Sequence, residues 1–263
     1  RGQFGGVSAI DYLIKIRGMG FVAAVESVCG ICTALPALNT QTNRPAVKRE
    51  GKILTLPPRV KYPSKLLSYL QRRDIDPYIL RQCMDAGILY EGRYNGEAVC
   101  VFVGRDNSGK DRFGCVRGIN SDMKRDCVGS DKRCGFYLAA KDADGGVVAV
   151  FEAPIDALSH ATLFPNWSGH RLSLGGTSPV ALLSFLAEHP ETSNVSLCLD
   201  ADDAGQTAAG RIREMLAGDK RFSHITVTKD PPKEGKDFND MLLCKKERET
   251  KLTGRRKVTG LSI

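Results

Sequence analysis

From Gly145 onward the chain switches repeatedly between two hydrophobic periods, and this alternation restricts its fold more than any other feature. Apolar runs at 147–151, 171–174, 195–199 and 225–228 read as strands. The stretches between them, about 154–163, 179–188 and 204–216, carry apolar residues at helical spacing. A β-α-β-α-β-α-β order with short connections predicts α/β architecture: a mostly parallel sheet with helices on both faces. Ligands in such sheets bind outside the carboxyl ends of the strands.

Those ends are acidic. The first strand runs into Glu152, with Asp156 four residues on; the second into Gly175, Gly176 and Thr177; the third into Asp200-x-Asp202, followed by Ala204-Gly205. After the fourth comes Gly235-Lys236-Asp237, with Asn239 and Asp240 close behind. Parallel strands bring these ends to one edge, so the carboxylates are expected to converge. Asp200 and Asp202, two apart on an extended segment, point the same way, and like charges held together call for a cation. An all-oxygen site that leaves positions for water and phosphate suits Mg²⁺ or Mn²⁺ better than Zn²⁺. An Asp-rich turn also reads simply as the cap and first turn of a helix.

Upstream the patterning differs. Residues 8–16 and 21–28 have helical spacing and make a small hairpin, followed by Cys29 and Cys32 at half-knuckle spacing with no second pair at finger distance. A proline-punctuated linker is expected over 35–58, then amphipathic helices at 65–73 and 76–86. Strands follow at 88–90, 99–103 and 113–117, with turns at Asn95-Gly96 and 107–109. Residues 121–133 read as a basic irregular loop, and 244–263 as a basic, mobile tail.

The net charge of +8 is unevenly spread: +4 over 1–58, +5 over 59–134, −5 over 147–243 and +5 over 244–263. Basic surface around an acidic block suits a nucleic-acid enzyme, with cations on the phosphates and carboxylates on metal. Nine scattered cysteines, an odd number, fit a reducing, cytoplasmic compartment rather than a disulfide scaffold. No run approaches the ~18 apolar residues of a membrane span. The first residue is Arg1, so the sequence is expected to be part of a longer chain.

The acidic strand ends resemble the Toprim domain, the metal-binding catalytic fold shared by bacterial-type primases, type IA and type II topoisomerases and some nucleases. Its first motif is a glutamate after a strand, usually followed by glycine, with an aspartate four residues on. That motif matches Glu152 and Asp156, with Ala153 in the glycine's place. Its Asp-x-Asp matches Asp200 and Asp202, and a later acidic motif matches Lys236-Asp237, with Asn239 where a second aspartate stands in the family. The resemblance to bacterial replicative primases spans most of the chain. Residues 5–28 look like the end of a primase zinc-finger domain, 69–75 like the start of the catalytic core, and 112–117 and 124–133 like its basic template- and nucleotide-binding region. The Toprim proteins of conjugative and other mobile elements, which carry a domain of unknown function before Toprim, are the nearest in pattern.

The resemblance implies five parts: a zinc-finger remnant at 1–34, the linker at 35–58, a basic α+β domain at 59–144, Toprim at 145–243 and the tail at 244–263. It implies a primase-like nucleotidyltransferase making short primers on single-stranded DNA from nucleoside triphosphates by a two-metal mechanism, in mobile-element replication or transfer. A replicative helicase or a relaxase would be a further partner, and no membrane is involved. Glu152, Asp200 and Asp202 would be catalytic; these with Asp156 and Asp237 would hold the Mg²⁺ or Mn²⁺. Arg112, Arg117, Lys124, Arg125, Lys132, Arg133 and Lys236 would bind nucleic acid or nucleotide. The same site could serve a Toprim nuclease, and the departures at Ala153 and Asn239 leave room for a non-catalytic nucleic-acid-binding module.

Overall fold

The computed structural model describes residues 53–140 and 146–259, with side chains to Leu252. The readings over 1–52, including Cys29 and Cys32, lie outside the described residues. Helices α1 (Ser64–Gln71) and α2 (Pro77–Asp85) lead into a four-stranded antiparallel sheet, β1 (Leu89–Tyr94), β2 (Glu97–Arg105), β3 (Asp111–Gly118) and β4 (Lys124–Asp126), in that spatial order. Asp76 caps α2 by accepting the Tyr78 N–H at 2.7 Å, with Pro77 opening the helix. The β1–β2 hairpin turns at Asn95 and Gly96, whose φ values of 50° and 80° are what a type I′ turn needs.

The second sheet has the order β5-β7-β6-β8-β9. It is built from β5 (Phe136–Leu138), β6 (Val147–Phe151), β7 (His170–Ser173), β8 (Asn194–Leu197) and β9 (Thr226–Lys229). β6 to β9 are mutually parallel, and β5 lies antiparallel on β7 at the edge. The connecting helices are α3 (Pro154–Leu163), α4 (Val180–Glu188) and α5 (Asp203–Gly218), and α6 (Phe238–Thr259) closes the chain. β6 shows how the layers form. Val148 and Val150 point into a core shared with α4 and α5, whereas Ala149 and Phe151 point into one shared with α3, α6 and the first sheet. The expected mostly parallel sheet, covered on both faces, is therefore what the chain adopts.

The connection from β6 goes to β7 on one side, and the next crosses back to β8 on the other. The direction of winding thus reverses between β6 and β8, where an open sheet forms its ligand crevice. Glu152 follows β6 and Asp200 follows β8, so the strand order alone places both at that crevice.

Four local features differ from the sequence reading. Leu54 and Leu56, at the end of the stretch read as linker, pack on the first sheet, and the Thr55 N–H donates to Val128 O at 2.9 Å. Within the loop read as irregular, Lys124, Arg125 and Asp126 pair with β3 as β4. Phe136 to Leu138, placed before the second sheet, belong to it, and Phe136 meets Phe102 edge-on at 5.4 Å. The stretch read as a mobile tail continues α6 to Thr259, a helix anchored by buried Phe238 and Leu242 at its start. The seven cysteines among the described residues are free, and no helix there is long and apolar enough to cross a membrane.

One buried group makes the fold acid-sensitive. His160 on α3, 3% exposed, accepts the Arg171 Nε–H through Nδ1 at 3.0 Å, and burial pushes its pKa down to about 3. An unfolded histidine titrates near pH ~6.5. Its neutral form therefore supports the fold fully above that value, and the support is lost as pH falls toward 3. Urea unfolding at pH 5 should show about 2 kcal/mol less stability from this residue than at pH 7.5. His160→Gln, whose amide oxygen can still accept from Arg171, should flatten that dependence. An unchanged pH slope in the variant would refute the assignment.

Candidate active site

Glu152 leaves β6 in a bend whose carbonyl accepts the Gly176 N–H at 2.9 Å, tying the first acidic end to the glycine loop after β7. Ala153, in the position of the family's glycine, has φ −123° and ψ 153°, extended values open to any residue. The alanine therefore costs nothing in backbone conformation. Asp202 caps α5, its Oδ1 accepting the Gly205 N–H at 2.9 Å. A Cβ on Gly205 would stand 2.3 Å from Asp200 O and 2.7 Å from Glu152 Oε1. Glycine there lets α5 start against both acidic strand ends.

Asp237 follows Gly235, whose φ of +74° and contact with Asp240 exclude a side chain. Its Oδ1 accepts the Asp240 N–H at 2.8 Å, capping α6. Lys236 places its ammonium 3.1 Å from Asp202 Oδ2 and 3.6 Å from Asp200 Oδ2. Asp156, 5% exposed, is held by the N–H groups of Asn239 and Ala153.

The electrostatics are those of crowded acids. Burial, with Asp200 next, raises the Glu152 carboxyl above its ordinary value, and burial, with Asp237 next, does the same to Asp200. Burial pushes Asp156 well up. Asp202 is lowered, first by the Gly205 N–H and then by Lys236. A cation among the first three would reverse their cost. Glu152 Oε1 is buried with no hydrogen-bond partner, so a carboxylate oxygen remains for an ion. The all-oxygen set of Glu152, Asp200 and Asp237 suits a hard divalent cation.

These acids line one wall of a cavity of about 460 Å³. The opposite wall comes from the first sheet and carries Arg117, Lys124 and Arg125, with Arg73 after α1 and Lys236 at the rim. Arg117 Nε is likewise buried without a partner. Of the basic residues singled out from sequence, Lys132 bonds Gly175 O at 3.2 Å and pairs with Asp126. Arg112 pairs with Asp106 at 2.6 Å and Arg133 with Asp131 at 2.6 Å. Neither lines this cavity; Arg133 borders a separate one of about 700 Å³ beside α2 and α4.

The sequence reading did not single out Arg73 or the part played by Asn239. Asn239, 2% exposed, donates to Arg73 O at 2.9 Å and Ser159 Oγ at 3.1 Å and accepts from Arg73 Nη1 at 2.6 Å. Its amide ties the end of α1 to α3. The signal available was the polar pair Arg72-Arg73 at a helix end; its partner 166 positions on had no local trace.

A second group of ligand-type atoms, from His170, His189 and Glu191, lies within 4.8 Å at the opposite, amino edge of the sheet. His170 Nδ1 accepts the Ala140 N–H at 3.0 Å. A neutral ring then carries its proton on Nε2, which opposes ligation through that nitrogen.

Residues 149–242 match the family model described as Toprim-like, and residues 68–143 match that of a protein of unknown function (DUF3991). No curated protein matches the chain. Among solved structures it is similar to the primase fragment of the bacteriophage T7 primase-helicase protein, at 20% identity over 68% of this chain and 70% of that one, TM-score 0.49. It is also similar to the E. coli primase catalytic core, at 18% identity over 69% of each chain, TM-score 0.48. The DnaG primase catalytic domain bound to ssDNA matches at 18% identity over 69% and 70%, TM-score 0.48.

Proposed function

We propose that this chain, in which a Toprim-like domain follows a DUF3991 domain, is the core of a primase-like nucleotidyltransferase that makes short primers on single-stranded DNA. The observation that carries the reading is the cavity lined by Glu152, Asp200 and Asp237 after the strands of the second sheet and by Arg117, Lys124 and Arg125 of the first, with Arg73 bordering it as well. Acids that hold a divalent cation beside bases that hold phosphates are the two halves a nucleotidyl transfer requires.

Glu152 and Asp200, with Asp237 beside them, would hold Mg²⁺ or Mn²⁺. Bound there, the ion supplies charge neutralisation at the triphosphate and makes the attacking 3′ hydroxyl more acidic. The basic wall orients the triphosphate and template backbone. Glu152, with its unpartnered Oε1, would serve either as a ligand of that ion or, left off it, as the base that accepts the hydroxyl proton as the new phosphodiester forms and pyrophosphate leaves. Support for work in mobile-element replication or transfer, beside a helicase or relaxase, is the resemblance of the sequence alone.

The test is incubation with single-stranded DNA, labelled ribonucleotides and Mg²⁺ or Mn²⁺. Short labelled products that require the metal are expected. Nicked template in the absence of nucleotides would replace this reading with a nuclease using the same acids. Intact DNA, bound equally with and without metal, would leave a non-catalytic binding module.

A further inference from the structure

The structure assigns to Lys236 the role of a built-in cation: its ammonium holds the Asp200–Asp202 end of the acidic groove, so the site takes one divalent ion, not two. The inference rests on the metal-dependent reading above and concerns how many ions that site admits.

The main chain, not a flexible side chain alone, sets the lysine's place. Lys236 O accepts the Ala201 N–H at 2.8 Å, between the two aspartates, and the Lys236 N–H donates to Asp240 Oδ2 at 3.0 Å. Gly235 before it turns at φ +74° where Asp240 leaves no room for a Cβ. From that position the ammonium lies 3.1 Å from Asp202 and 3.6 Å from Asp200.

Asp202 is thereby spent. One of its oxygens caps α5 through the Gly205 N–H, and the other faces the lysine. Asn239, which stands where the acidic motif would supply a further carboxylate, has its amide engaged by Arg73 and Ser159. What remains is Glu152, with an unpartnered Oε1, and Asp200, the more distant of the lysine's two partners at 3.6 Å, with Asp237, whose Oδ1 caps α6, beside them. Those carboxylates suffice for one hard cation whose other positions go to water or phosphate. A second would have to displace Lys236 from Asp200 and Asp202.

Counting bound Mn²⁺ tests this, using electron paramagnetic resonance of the free ion at saturation. The count is taken as the ions lost in the Asp200→Asn/Asp202→Asn double variant; asparagine still caps a helix well. The parent chain should lose one ion per chain by this measure. Lys236→Met, which keeps the length and removes the charge, should raise the count to two, and Lys236→Arg should keep it at one. Two ions in the parent would overturn the inference while leaving the metal-dependent function standing, as would one ion in Lys236→Met. No ion in the parent would overturn both.

Discussion

Asp200→Asn should lower metal-dependent primer synthesis by at least ~10³-fold, on the order of 4 kcal/mol of transition-state stabilisation, while leaving the fold intact. Asp200 lies at the point where winding reverses in the sheet, and its charge acts on Glu152 and reaches Lys236 at 3.6 Å. Asparagine keeps its shape and removes that charge. The raised pKa of Asp200, caused by burial and then by Asp237, means that its ionised form opposes folding above its unfolded pKa. The variant should therefore melt at the same temperature as the parent or slightly above it. Loss of activity with undiminished stability is the mark of a functional group held at a cost. Asp202→Asn should lose less, because Asp202 already serves as a helix cap and a partner of Lys236. Steady-state synthesis and a thermal melt on the three proteins decide the matter; an Asp200→Asn rate within tenfold of the parent would sink the assignment.

The parallel sheet and its acidic edge were legible because both signals are local. A strand such as Val147–Phe151 is buried on both faces and reads as a continuous apolar run, and a carboxylate at its end has no core to enter. Of the two readings of Asp200-x-Asp202 the structure displays the helix cap, made by Asp202 on α5; the metal reading stays a proposal, with Asp200 lining the cavity and Asp202 against Lys236. What escaped depends on distant partners. Lys124, Arg125 and Asp126 contain nothing apolar and become a strand only because β3 offers an edge. Phe136 to Leu138 are too few for a period to show. Residues 244–259 have no apolar stripe, and they are helical because they extend a helix docked at Phe238 and Leu242. Arg112 and Arg133, singled out for phosphate contacts, pair with Asp106 and Asp131 close in sequence and lie outside the lining of this cavity. Arg73, from a helix end far upstream, borders the cavity instead.

Asn239→Asp should destabilise the chain by about 2–4 kcal/mol and add nothing to catalysis, although it restores the aspartate of the resembled acidic motif. Asn239 is 2% exposed, and its Nδ2 donates to Arg73 O and Ser159 Oγ. A carboxylate has no hydrogen to offer either. One oxygen could still accept from Arg73 Nη1, as Asn239 Oδ1 does at 2.6 Å, so the pair is partly preserved. The other would face the Arg73 carbonyl across a distance suited to a hydrogen bond, acceptor against acceptor. The buried Asp156, which already takes the Asn239 N–H, would gain a second acid nearby, raising the cost of ionising either. Because the amide is engaged by Arg73 and Ser159, and Asn239 is not among the residues lining the cavity, the new charge would be taken up by Arg73 rather than by a cation. Denaturant unfolding should show the loss at neutral pH and a smaller one near pH 4, where the added carboxyl takes up a proton. Asn239→Leu, which strands Arg73 and Ser159 together, should be at least as harmful. A variant as stable as the parent, with a further bound ion or faster synthesis, would show instead that residue 239 turns toward the metal groove.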